Sequence, residues 1–196
     1  MEVLTRIIVL SLEITIGIVI YCKLLVFIKD FVASLFANSL GVTSTLLFFN
    51  FLTFPGVMHH ELSHAFFAFI TGAKVCSIDL FHLPKDGSLG SVSYIPRGPF
   101  LLQGLQMSLS SIAPSVTPLI TVPFLYKYAQ GLSGTPMYVV YYLILSILAH
   151  IGMSDADFKG LIKGLIQTFI IIIILVTIYI LFNPNLYIIT EYLNNF

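Results

Sequence analysis

His60-Glu61-Leu62-Ser63-His64 lies within Phe31 to Ala73, a stretch in which Glu61 is the only formally charged side chain. On an α-helix, residues four apart are separated by about 400° of rotation and about 6 Å along the axis. His60 and His64 therefore share a face, and one divalent ion can bridge their imidazoles. Glu61 is turned by about 100° from His60. It is badly placed as an equivalent third ligand and well placed to hold a water on that ion and take its proton. The pattern is that of metal-assisted hydrolysis with one general base. The competing explanation is chance, since three fixed positions recur at random and histidines in apolar helices are often hydrogen-bonded core residues. Ionisable groups are costly in hydrocarbon, so their concentration here favours a chemical task.

The setting is a membrane. Of the 196 residues 58% are hydrophobic and only 9% charged. A helix needs about 20 apolar residues to cross the hydrocarbon core. Uncharged runs of that order cover Phe31 to Met58, Gly98 to Tyr126, Tyr128 to Ser154 and Gly164 to Thr190. The segment from about Val3 to Ile28 is also apolar but contains Glu13, which is expected to face the bundle or a wet cavity. An interfacial amphipathic helix is the alternative there. A cleaved signal peptide fits poorly, because the apolar stretch is long and lacks a small-x-small site before Lys23. The expected fold is an all-α polytopic membrane protein, an integral, multi-pass single domain over residues 1–196. It has about five to six membrane helices and a small β-hairpin after the HExxH helix. Formal net charge is zero and there is no basic cluster, so nucleic acid is not an expected partner. Cys22 and Cys76 have no ligand spacing and are read as packing residues.

Locally, Pro55-Gly56 should begin a helix, because proline lacks an amide donor. That helix carries His60 and His64 in its second and third turns and stops at Thr71-Gly72, after about Ile70. Ala73 to Pro96 reads as strands. Cys76, Ile78 and Leu80 alternate with Ser77 and Asp79, and Val92 and Tyr94 alternate with Ser91 and Ser93, around a turn at Lys85-Asp86-Gly87. Such a hairpin could pair with an extended substrate by strand addition, or simply connect and cover the site. Pro114, Pro118 and Pro123 should kink or break the segment Phe100 to Tyr126 unless nearby groups satisfy the freed carbonyls. Gly131 to Pro136 is a loop, and Met137 to Ile151 another spanning helix.

A catalytic zinc site has three protein ligands and one open position, so two histidines are incomplete. Ser154-Asp155-Ala156-Asp157 stands between two apolar spans and opens the last one, where a carboxylate can point back into the bundle. Asp157 is the preferred third ligand, with Asp155 and His150 as alternatives. Ser154 and Asp157 also have the spacing of a capping box, and acidic residues favour a helix start.

His60-Glu61-Leu62-Ser63-His64-Ala65, followed by Thr71-Gly72-Ala73-Lys74-Val75 and a strand-like segment, resembles the site-2 protease family of intramembrane zinc metalloproteases. The likeness covers roughly Pro55 to Pro96 and Ser154 to about Ile174, and is nearest to small members without appended domains. That family places an aspartate ligand at the start of a later membrane helix, and Asp157-Phe158-Lys159-Gly160-Leu161-Ile162-Lys163-Gly164 is similar in its basic residue and following apolar helix. Phe158 departs from the glycine common after the ligand aspartate. His150-Ile151-Gly152-Met153 departs from the asparagine- and proline-containing stretch common before it. The resemblance implies a zinc endopeptidase in the lipid bilayer, with Zn2+ on His60, His64 and Asp157 and Glu61 as general base. Its substrate would be a membrane-spanning or membrane-adjacent protein or peptide. Two other expectations remain open: a non-catalytic membrane protein of this fold that holds a partner helix, and a metal or ion transporter. The paired interrupted helices of a repeat-built transporter are missing from the sequence.

Overall fold

The computed structural model describes residues 2–40, 48–81 and 90–183. These form seven long or medium helices and one hairpin: α1 Glu2–Leu40, α2 Phe54–Ile70, β1 Lys74–Asp79, β2 Ser91–Ile95, α3 Phe100–Val116, α4 Pro118–Ala129, α5 Thr135–Ala149, α6 Asp155–Lys163 and α7 Leu165–Phe182. Residues 48–52 are also helical and end in a turn at Thr53. Three helical stretches are long and apolar enough to cross a membrane, Val3–Phe31, Phe100–Ala129 and Leu165–Phe182, and Thr135–Ala149 is a shorter apolar helix. The fold is thus mostly helical and suited to membrane association.

Two expected spans are redrawn. Phe31 to Met58 is not one helix: α1 continues through Phe31 to Leu40, and a separate helix starts at Phe54. Pro55 occupies the first turn of α2, where its missing amide costs nothing, and Met58 belongs to the HExxH helix. Part of that expected span, residues 41–47, lies outside the described residues, as do residues 184–190 of the Gly164 to Thr190 span and the Lys85-Asp86-Gly87 turn. Phe100 to Tyr126 is divided at Thr117, where Pro118 starts α4, while Pro114 and Pro123 stay inside their helices.

Glu13 also differs from expectation. Ile7, Ser11, Thr15, Cys22 and Val26 form the buried stripe of α1, which packs along α7 and against α6. Glu13 falls on the opposite, exposed side. The spacing of the stripe decides this, since a residue two positions from Ser11 is rotated by about 200°.

The helices approach closely through small residues, as membrane helices commonly do. A Cβ on Gly56 of α2 would collide with the Ser146 carbonyl oxygen of α5. On the other side, Gly104 of α3 is filled by Gln167 of α7, and Gly160 of α6 by the Ser111 hydroxyl. Helix α3 is the hub, touching α2, α6 and α7.

β1 and β2 pair antiparallel, with Val75 opposite Tyr94, Ser77 opposite Ser93 and Ile78 opposite Val92. Cys76 is the extra residue in a bulge between the first two pairs. The simple alternation of Cys76 with Ile78 therefore fails, because one inserted residue shifts the face on which the earlier side chains lie. Buried Gln106 of α3 ties the hairpin down. Its side chain accepts from the Arg97 amide at 2.8 Å and donates to the Thr71 carbonyl at 2.8 Å, joining the exit of β2 to the end of α2.

Candidate metal centre

Helix α2 lacks a side-chain N-cap of its own. Ser146 of α5 takes that place: its hydroxyl accepts from the Gly56 amide at 2.7 Å and donates to the Thr53 carbonyl at 2.8 Å. This sets the start of α2, and with it the height of His60 and His64, whose ring centroids are 4.9 Å apart.

Each imidazole is oriented by a backbone carbonyl. His60 donates from Nδ1 to the His150 carbonyl at 3.0 Å, and His64 donates from Nδ1 to the Ser110 carbonyl at 2.7 Å. Both acceptors are available for a reason legible in the chain. His150 is the C-cap of α5, beyond the last regular helical bond. Ser110 lies four residues before Pro114, whose nitrogen has no hydrogen to give to it. The proline thus frees an acceptor inside a buried helix, and His64 fills it. Ser110 returns the contact, its hydroxyl donating to the His64 carbonyl at 3.0 Å.

With hydrogen on Nδ1, both rings turn their Nε2 atoms toward the start of α6. Asp157 Oδ1 lies 3.2 Å from His64 Nε2, and Asp157 Oδ2 lies 3.6 Å from His60 Nε2. Among the described residues, His60, His64 and Asp157 are the group of side chains able to share a metal ion. Zinc bonds of about 2.0–2.2 Å in a tetrahedral shell separate ligand atoms by about 3.3–3.6 Å, so these three residues fit such an ion. The donor chemistry agrees: two bare nitrogen lone pairs facing a carboxylate repel unless a cation or protons lie among them.

Asp157 has a second task that does not compete with the first. Its Oδ2 accepts from the Ser154 amide at 3.0 Å and the Ser154 hydroxyl at 2.5 Å, while its own amide donates to Ser154 Oγ at 3.1 Å. This is a complete capping box. It holds the carboxylate by Oδ2, which also lies near His60, and leaves Oδ1 aimed at His64. Asp155, the alternative, is exposed and borders a different cleft with Lys23. The His150 ring turns away from the centre, with Nε2 2.7 Å from Thr53 Oγ1 and the ring tilted against Phe49. Its contribution is the carbonyl beneath His60.

The hairpin lies over Glu61. A Cβ on Gly90 would come within 2.6 Å of Glu61 Cγ, so even a methyl group there must displace the strand or the glutamate. Tyr94, on the inward side of β2, points its phenol toward the hydroxyls of Ser110 and Ser111. Burial, the largest influence, raises that phenol above its ordinary pKa; the serine hydroxyls oppose the shift and the Asp157 charge adds to it. Of the remaining polar groups in α2, Ser63 bonds Thr117 at 2.7 Å and His59 bonds Thr121 at 3.0 Å, both across the break between α3 and α4. Sequence inspection alone passed over Ser110, Gly90 and Gln106. The proline four residues after Ser110 was the available signal for the first; nothing in local pattern marked the other two.

No protein family, curated protein or solved structure matches this chain.

Proposed function

We propose that the chain is a multi-pass intramembrane zinc endopeptidase, similar in its site to the site-2 proteases, acting on membrane-spanning or membrane-adjacent peptides. The observation that carries this proposal is the convergence of His60, His64 and Asp157 with Glu61 adjacent on the same helix. Helices α2 and α5 would then complete a set of about five to six membrane helices together with the three longer stretches.

When bound, Zn2+ supplies a Lewis acid for the peptide carbonyl and brings a water near neutral acidity. His60 and His64 hold their nitrogens in place because carbonyls of two other helices fix the tautomer and ring direction. Glu61 takes the proton of the attacking water and returns it to the leaving amine as the C–N bond breaks. The hairpin packs against Glu61 at Gly90, and its exposed edge would offer backbone groups to an extended substrate.

The test is cleavage of a transmembrane reporter by the purified protein, together with metal analysis. Glu61→Gln is expected to retain the metal and lose turnover by about 10²–10⁴-fold. Unchanged turnover in that variant would sink the proposed mechanism and favour a protein that retains a partner helix without cutting it.

A further inference from the structure

The helix that carries Asp157 has a second, different face. Asp155, Phe158, Lys159, Ile162 and Lys163 follow the i, i+3, i+4, i+7, i+8 spacing of one side of α6. Asp157, Gly160, Leu161 and Gly164 form the opposite side, and Gly160 and Gly164 meet α3 directly. With Lys23 of α1, the first set lines a cleft of about 500 Å³. Lys23 Nζ stands 5.1 Å from the centroid of the Phe158 ring, which holds it at the cleft.

Three of the nine cationic side chains of the whole chain meet here. Like charges drawn from two distant elements repel, and Asp155 supplies one negative charge against three. The cleft therefore carries a net positive charge that favours an anion. Its surroundings indicate which kind. Lys163 stands two residues before the apolar span Leu165–Phe182. Leu161 packs with Cys22 and Val26, so Lys23 is at the same level. From that level, α1 back to Val3 and α7 forward to Phe182 each run for about 27–30 Å, close to the roughly 30 Å thickness of a hydrocarbon core. Cations at that level meet phosphate headgroups. The lysine stems, Phe158 and Ile162 offer apolar walls beneath the ammonium tips.

We propose that the cleft between α1 and α6 binds the phosphate-bearing headgroup of an anionic phospholipid, with its acyl chains lying along α1 and α7. This site does not depend on the metal chemistry of the opposite face.

The full-length protein, purified in detergent and stripped of lipid, is offered phosphatidylglycerol, phosphatidylcholine or inorganic phosphate, and retention is read by native mass spectrometry and thermal melting. Phosphatidylglycerol is expected to be retained on the order of tenfold better than phosphatidylcholine, and to raise the melting temperature where inorganic phosphate does not. The combined variant Lys23→Gln/Lys159→Gln/Lys163→Gln loses the preference, while Lys29→Gln/Lys127→Gln keeps it. Should the triple variant fail to fold, Lys159→Gln alone is expected to reduce the preference. Equal retention of both lipids, equal stabilisation by inorganic phosphate, or an undiminished preference in the Lys23/Lys159/Lys163 variants would each overturn the proposal.

Discussion

In α1, Ser11 donates to the Ile7 carbonyl, Thr15 to the Ser11 carbonyl and Ser34 to the Phe31 carbonyl, all within one turn of the same helix. In α2, His59, His60, Ser63 and His64 each bond a residue outside their own helix, Ser63 in addition to the His59 carbonyl one turn back. Both helices are largely apolar, yet their polar groups serve opposite ends. A hydroxyl bonded to its own helix is neutralised for an apolar environment and carries no information about its neighbours. A side chain bonded across helices fixes a rotamer, a tautomer and an interhelical register together. The candidate chemistry collects where bonds run between helices.

That contrast can be broken by substitution. The largest effect is expected at Asp157, whose change to Ala removes the proposed third ligand and the capping box of α6 at once; bound metal should fall towards zero and reporter cleavage with it. Asp155→Ala, two residues away on the other face, should leave both near wild type, and metal loss there instead would reverse the assignment. Pro114→Ala comes next. It restores an amide that competes with His64 for the Ser110 carbonyl, and should weaken metal affinity by about 10–100-fold in a chelator competition. Unaltered affinity would mean that the freed carbonyl does not orient His64.

Smaller changes sharpen the same comparison. Ser154→Ala removes the capping box while keeping both Asp157 oxygens, with an expected cost of about 1 kcal/mol in denaturant unfolding. Metal affinity should drop with it, because Oδ2 keeps the residue 154 amide but loses the hydroxyl as an anchor. At the low end, Ser11→Ala in α1 removes a bond made only to its own helix and should change stability by about 0.5 kcal/mol or less. A larger loss would show that α1 hydroxyls also report on their neighbours.

Much of the candidate site was legible before any fold. HExxH carries its own geometry, because both histidines lie on one helix and four residues nearly complete a turn. Pro55 and Thr71-Gly72 marked the ends of that helix, observed at Phe54 and Ile70. The capping-box spacing of Ser154 and Asp157 could be read as well, but whether capping and metal binding compete could not. That depends on which carboxylate oxygen faces the histidines. The bulge at Cys76, the contact of Gly90 with Glu61 and the exposed side of Glu13 were illegible for a similar reason. Each is set by what packs against the element rather than by its own pattern.

By itself, the sequence determined the apolar, helical character of the chain, an interruption by proline within Phe100 to Tyr126 and the paired histidines, all of which follow from local backbone geometry and hydrophobic period. Only the tertiary structure decided that Asp157 rather than Asp155 or the His150 ring turns to the histidines, and that the His150 and Ser110 carbonyls hold those rings. Convergence across some 90 residues of chain is a property of helix packing, where close contacts at Gly56, Gly104 and Gly160 set distances that no local pattern encodes.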